Sequence, residues 1–339
     1  MGHIARTIGT RRRGTTTAAL LAAAVTASLM AGCTSDDRPS DDGRGQTHSR
    51  SQDPDHRESH TPSVGSVLAV KIDNVHAARP QTGLEAADIV YAEQVEGGLS
   101  RLMAVYATRL PEAVGPVRSA RETDLELLRQ FDDPTLAFSG AQRKLLPLID
   151  RAPLNAESPE SAASGVYYRG ADRAAPHNLY LRPQRLIAAA PGPDALTTGF
   201  RYGAAPAGGT PAESRTVRFP SARFTFTWSA DRHGWLVSMD GTPTVTTDDN
   251  TTDDKRIAAA TVVVQYVKVR ESKFHDVLGN NSPYTQSVGS GRAQVLRDGR
   301  AFDVEWRRGS AAEGTDFTTA DGTPVNFAKG QVWVVFATA

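Results

Sequence analysis

The sequence predicts an α+β protein: an N-terminal mixed α/β domain followed by a C-terminal, mainly antiparallel β domain. Three observations carry that prediction. Between Ser63 and about Leu196, apolar runs of strand length alternate with helix signals, which is the pattern of a mixed layer structure. From Phe224 onward the runs are β-branched or strictly alternating, and no helical period appears. Between the two lies a Gly/Pro/Ala-rich stretch, 191–209, that reads as a linker or long loop.

In the first half, residues 67–72 form an apolar run that ends at the turn pair Asp73-Asn74. Residues 89–91, 102–106 and 136–138 are three further strand candidates. Ser119-Ala-Arg-Glu122 matches a capping box with Ser119 as N-cap, and Leu125, Leu128 and Phe131 follow at helical spacing. Shorter helices are predicted over 141–150 and 183–190, the second with proline in its first turn. In the second half, 224–228 and 261–269 read as strands, and Asp240-Gly241, Asp298-Gly299 and Asp321-Gly322 as hairpin turns. Residues 332–336 read as a closing core strand, and no internal repeat is visible.

Ahead of this body, residues 1–32 carry Arg6, Arg11, Arg12 and Arg13, no acid, and an apolar run at 18–30. The run is shorter than the ~20 apolar residues that span a bilayer. A basic start, a short apolar region and small residues before a cut site define a secretory signal peptide. Leu29-Met30-Ala31-Gly32-Cys33 resembles a bacterial lipobox, with Met30 where leucine is commoner. Cys33 is the single cysteine of the chain, so it is the predicted lipidation site. Two acyl chains anchor stably where one does not, and the predicted partner is therefore the lipid bilayer, through diacylated Cys33. The expected location is the extracytoplasmic face of the cell membrane, by Sec or twin-arginine export. Residues 33–62 are almost devoid of apolar side chains and read as a disordered tether, in which His48, His56 and His60 are solvated. The domains expected are then 1–32, 33–62, 63–200 and 215–339.

The 38 basic and 38 acidic residues cancel. With four Arg in the leader, and four Arg against seven acids in 34–62, the remaining body is also close to neutral. That balance disfavours nucleic acid as a partner. One cysteine forbids an intramolecular disulfide and any Cys-paired zinc site. No G-x-G-x-x-G, Walker A or H-E-x-x-H motif occurs, and the four Asp within 246–255 lack the glycine and terminal glutamate of a calcium loop. No cofactor and no metal are predicted.

The chemistry-bearing residues gather in loops at strand ends, where binding groups usually sit. Arg118 and Arg121 stand at the predicted helix start, where a positive charge is unfavourable by ~0.3–1 kcal/mol. Something negative has to compensate, either a carboxylate network or a bound anion, and guanidinium groups suit bidentate carboxylate or phosphate recognition. The candidate ligand site is Lys71, Asp73, Asn74, Arg79, Gln81, Glu93, Glu96, Arg101, Arg118, Ser119, Arg121, Arg173, His177 and Asn178. Asp73 with Glu93 or Glu96 is a candidate acid–base pair. His177 reads first as a hydrogen-bonded structural residue and second as a base. Ser119 reads as a cap before a nucleophile, and Ser139-Gly140 lacks the glycines of a nucleophile elbow. In the second half, Lys273-Phe-His275-Asp276 and Gly289-Ser-Gly291 are the notable polar spots.

Several strings carry a family resemblance: Lys71-Ile-Asp-Asn-Val75, Ala78-Arg-Pro-Gln81, Gly83-Leu84, Ala87-Asp-Ile-Val-Tyr91, Val95-Glu-Gly-Gly98, Gly115-Pro-Val-Arg-Ser-Ala-Arg121 and Pro176-His-Asn178. On these, the chain resembles the YerB-like family of bacterial lipoproteins, strongly over 67–180 and more weakly over 287–336. The resemblance implies an envelope lipoprotein whose N- and C-terminal domains are of unknown function, and it supplies no catalytic residue. The chain departs from the family at 241–244, where Thr-rich residues replace a His-containing loop. Three functions follow from the residues. The favoured one is a non-enzymatic lipoprotein that binds an anionic envelope ligand or a protein partner. The others are a hydrolase or transferase of an anionic envelope substrate, and a structural or assembly partner.

Overall fold

The computed structural model describes residues 65–248, 251–276 and 279–339. The signal segment, Cys33 and the tether lie outside the described residues, as does part of the Asp-rich segment 246–255. All described elements fall within one compact unit.

The protein is mainly β. The four strand candidates of the first half form as β1 (Leu68–Asp73), β2 (Ile89–Gln94), β3 (Ser100–Tyr106) and β4 (Thr135–Ala137), and a short strand, β5 (Asn155–Glu157), follows. The second half contributes β6 (Ser214–Arg218), β7 (Arg223–Ser229), β8 (Gly234–Met239), β9 (Thr261–Val267), β10 (Val269–His275), β11 (Asn281–Thr285), β12 (Gly289–Arg297), β13 (Arg300–Arg308), β14 (Asp316–Thr318) and β15 (Val332–Thr338). Two of the three Asp-Gly pairs do what their chemistry allows, while in the third only Gly322 takes a positive φ (83°). Asp240 and Gly241 (φ 54° and 88°), and Asp298 and Gly299 (φ 50° and 69°), all take the left-handed angles of tight hairpin turns.

One eleven-stranded sheet runs through both halves of the chain in the order β14-β13-β12-β9-β15-β2-β3-β1-β4-β5, with Thr210–Pro211 added on β13. Strand β15 is the join. It lies parallel to β9 on one side, from Thr261↔Val332, and parallel to β2 on the other, from Val332↔Ile89. Its sequence, Val-Trp-Val-Val-Phe, is apolar on both faces, as a strand covered on both sides requires. A smaller sheet containing β6, β7 and β8 covers one face, packing Phe224, Phe226 and Trp235 with Val70, Ile72, Val90 and Trp333. The other face packs Tyr91, Met103, Val334 and Phe336 with Leu127, Leu128 and Phe131.

Those three last residues belong to or follow α1 (Glu122–Leu128), the longest α-helix among the described residues. Helix is otherwise sparse, so the alternation read from the first half holds only in part. Of the helix expected at 141–150, only the single turn Leu146–Ile149 is α-helical, and 183–190 holds one 3-10 turn, Pro183–Arg185. The expected start of α1 is also corrected. Arg121 is the N-cap, not Ser119. The reason is tertiary: the Arg118 N–H donates to the Lys71 carbonyl (2.8 Å) and the Ala120 N–H to the Gly140 carbonyl (3.0 Å). The chain is thus held extended through 118–120, and the helix begins where those bonds end.

Pleating then positions the polar residues. Asp73 pairs with Arg101 across β1–β3, and Glu93 pairs with Arg101 across β2–β3. Residues opposite each other share a face, and so do residues two apart. Lys71, Asp73, Glu93 and Arg101 therefore lie on the α1 side of the sheet, in line with Tyr91 and Met103.

Candidate functional site

A cleft of about 610 Å³ opens where these strand ends meet α1. Its floor is the end of β1 and the start of β3, with Asp73, Ser100 and Arg101. One wall is the β2–β3 connection with Glu96 and Leu99, another is segment 118–122, and the far wall is the β10–β11 hairpin with Phe274, His275, Asp276 and Ser282. Gln142 and Arg143 complete the rim. The C-terminal half thus supplies a wall of the cleft. His275 and Asp276 stood out in the sequence as a polar spot, but nothing in their spacing tied them to Arg101.

The hairpin is bound to the helix side by side-chain contacts. Ser272 Oγ donates to Glu122 (2.5 Å), the Thr285 N–H to Thr123 Oγ1 (3.0 Å), and Tyr284 to Glu126 (2.5 Å). Ser282 hydrogen-bonds Glu96 across the cleft.

Below the floor sits a buried charge cluster. The Lys71 ammonium lies between Glu93, an ion-pair partner, and Asp124 (2.7 Å). Burial lowers the Lys71 pKa to about 8, opposed by the charge and hydrogen bond of Asp124. Asp124 also accepts the Arg121 N–H (2.7 Å), which closes the N-terminus of α1. Lys71, Glu93 and Asp124 do not line the cleft; they brace it.

In the cleft itself two carboxylates are held ionised. Burial alone would raise Asp73, but the His177 hydrogen bond (2.8 Å) and the charges of Arg118 (3.3 Å) and Arg101 hold it below its ordinary value. Burial likewise acts to raise Glu96, yet the Arg121 fork, with Nε at 2.6 Å and Nη2 at 2.9 Å, brings it down to about 2. Arg101 differs from both neighbouring arginines. Its one side-chain hydrogen bond among the described residues is from Nη1 to the Ser119 carbonyl (3.2 Å), and no carboxylate lies within ion-pair distance. Burial first, and the charge of Arg121 second, lower its pKa to about 9. Arg118 has a buried Nη1 with no partner among the described residues.

The remaining candidates separate from the cleft. Arg79 clamps its own loop to the smaller sheet through Asn74 (Nη2 to O, 2.7 Å), the Met239 carbonyl (3.3 Å) and Asp240 (2.7 Å). Gln81 donates to Asn74 Oδ1 (2.9 Å). Arg173 grips the carbonyls of Ala78 (2.7 Å) and Pro80 (2.8 Å). Asn178 ties Gly170 and Arg173 together (2.8 and 2.9 Å). His177 touches Asp73 but does not line the cleft. Ser119 does line it, with its Oγ 3.4 Å from that of Ser139. The fourteen residues therefore divide into a cleft set (Asp73, Glu96, Arg101, Arg118, Ser119 and Arg121) and a scaffold that holds the surrounding loops. Among the described residues, no group of three or more His, Cys, Asp and Glu side chains is placed to hold a metal ion.

The fold and cleft define a class: a mainly β protein in which an N-terminal arginine cleft is walled by a C-terminal hairpin. Residues 56–195 match the family model "Protein of unknown function (DUF3048) N-terminal domain", and residues 215–334 match "Protein of unknown function (DUF3048) C-terminal domain". The chain belongs to that family. It is 24% identical to "Putative lipoprotein YerB" of Bacillus subtilis (strain 168) over 285 residues, which is 79% of this chain and 80% of that protein. It superposes on the crystal structure of YerB protein from Bacillus subtilis with a TM-score of 0.65 at 20% identity, covering 81% of this chain and 92% of that one. That likeness shows the fold.

Proposed function

We propose that the chain is a lipid-anchored, extracytoplasmic binding protein whose cleft takes an anionic ligand on Arg101 and Arg118. The observation that carries the reading is Arg101: a guanidinium drawn into the protein beside two other arginines, with no carboxylate of its own. A partly buried cation with no ion-pair partner is costly, and an anion from outside supplies that partner in a geometry that suits the guanidinium fork. Binding is favoured over acid–base catalysis because a general acid or base works best with a pKa near the operating pH. Asp73 and Glu96 are instead held down by their cationic partners.

Inorganic phosphate titrated into the protein is the test. Arg101→Gln is expected to weaken binding at least tenfold, and raised salt to weaken wild-type binding, with melting little changed because Arg101 makes one hydrogen bond. Equal binding by wild type and variant overturns the reading.

The anchor rests on the lipobox at 29–33, and the relative named a lipoprotein supports it. Among the described residues no helix is long and apolar enough to cross a membrane. Cys33→Ser is expected to move the protein out of the membrane fraction. Retention of the variant there sinks the anchor.

A further inference from the structure

We propose that the anion taken by this cleft is the head of an amphiphile, a phosphate or carboxylate that carries an apolar chain. The proposal rests on the anion-binding reading above and adds the rest of the ligand. The cleft has two chemistries. Its floor offers the guanidinium of Arg101, which has no ion-pair partner, with Arg118 in the wall beside it, but Val75, Val95, Leu99, Leu145 and Phe274 line the cleft as well. Val95 and Leu145 are buried in the core, so a small inorganic anion on Arg101 leaves wet the exposed Leu99 and the partly exposed Val75 and Phe274.

Leu99 is the most telling of these residues. It is 40% exposed, one of three large apolar side chains so exposed among the described residues, and of the three it alone lines the cleft. Its exposure is built in. The Leu99 carbonyl accepts the Val95 N–H (2.9 Å), and the Leu99 N–H donates to the Glu96 carbonyl (3.3 Å). Gly97 and Gly98 make the bend at φ 67° and 70°. At Gly98 a side chain is excluded outright, since a Cβ there would lie 2.5 Å from Pro220 Cβ. The bend is thus seated on the second half of the chain, and it holds Leu99 at the cleft beside the arginine floor. Phe274 stands on the hairpin wall, which Ser272 and Ser282 tie to Glu122 and Glu96. A fixed apolar edge of Leu99 and Phe274 beside the Arg101 guanidinium matches a ligand with an anionic head and an apolar body. Full burial of each methylene strengthens binding by roughly fourfold.

The test compares ligands with one head and two tails, methyl phosphate and octyl phosphate, both kept monomeric, titrated into Pro39–Ala339, which contains the whole sheet and both cores. Acetate and octanoate form a parallel pair that tells a carboxylate head from a phosphate one. The expected result is binding of the octyl ligand at least tenfold tighter than the methyl ligand. That gain should shrink in Leu99→Ser or Phe274→Ala and all binding should weaken in Arg101→Gln. Equal affinity for the two tails, with both lost in Arg101→Gln, overturns the amphiphile and leaves the anion site standing. Octyl binding that ignores Arg101→Gln, or a gain that survives both Leu99→Ser and Phe274→Ala, overturns it too. If neither ligand binds, the anion reading fails and the amphiphile with it.

Discussion

Lys71→Met is expected to cost the protein about 3–5 kcal/mol of stability at neutral pH, the usual penalty for removing one partner of a buried ionic cluster. The Lys71 side chain is 0% exposed, and its ammonium is what pairs Glu93 and Asp124. Without it, Asp124 retains the Arg121 N–H, but Glu93 loses its ion-pair partner, and its Oε2 already has no hydrogen-bond partner among the described residues. The deficit should depend on pH with a definite sign. In the variant Glu93 is left as a buried carboxylate without its ion-pair partner, so the deficit should be larger at pH 7 than at pH 4, where protonation relieves the buried charge. The wild-type lysine has its own slope higher up. Its folded pKa of about 8 lies below the unfolded 10.5, so between those values the unfolded chain holds more protons and the Lys71 contribution to stability rises with pH. Urea unfolding at pH 4 and pH 7 measures the variant's deficit. A variant that unfolds like wild type at pH 7 contradicts the cluster. Adding Glu93→Gln should recover part of the loss, because it removes one uncompensated charge.

Arg308→Met should cost about 5 kcal/mol, by a different mechanism. Arg308 is 1% exposed on β13 and, among the described residues, has no carboxylate within ion-pair distance. Its charge is spread over dipoles: the carbonyls of Glu126 (3.1 Å), Leu127 (3.3 Å), Ala311 (2.6 Å) and Glu313 (2.9 Å), with Ser287 Oγ at 2.8 Å. Two of these carbonyls close the last turn of α1, where a helix has acceptors without internal partners. Methionine fills the space and leaves the acceptors bare, at roughly 1 kcal/mol each. Arg308→Lys keeps the charge but loses the planar fork, so it should recover less than half. Amide exchange across α1 should quicken in both variants. If α1 stays as protected as in wild type, Arg308 is not what holds its C-terminus.

The β content was legible because its signals are local. Apolar runs of three to nine residues and Asp-Gly turns depend on neighbours in the chain, and every strand read from them forms. The helices were less legible. Ser119 and Glu122 have the spacing of a capping box, but a cap needs a free backbone, and the N–H groups of Arg118 and Ala120 are taken by Lys71 and Gly140. The Val332–Thr338 strand was visible as a strand, yet its two parallel neighbours were not. Parallel pairing joins segments far apart in the chain, here Ile89 with Val332, and leaves no mark in local pattern.

The candidate site follows the same division. Sequence alone marked the arginines, short acids and serines of the first half as the polar residues to watch, and it placed the lipobox at Cys33. It could not sort them. Arg79 and Arg173 carry the same charge as Arg101, and only the tertiary structure pairs the first two with Asp240 and Asp172 and leaves the third in a cleft without an ion-pair partner. It also brought in Phe274 and Ser282 from almost two hundred residues away. Residue type determines what a side chain is able to bind. Which partner it meets depends on strand register and loop contacts, and these are decided where the whole chain packs.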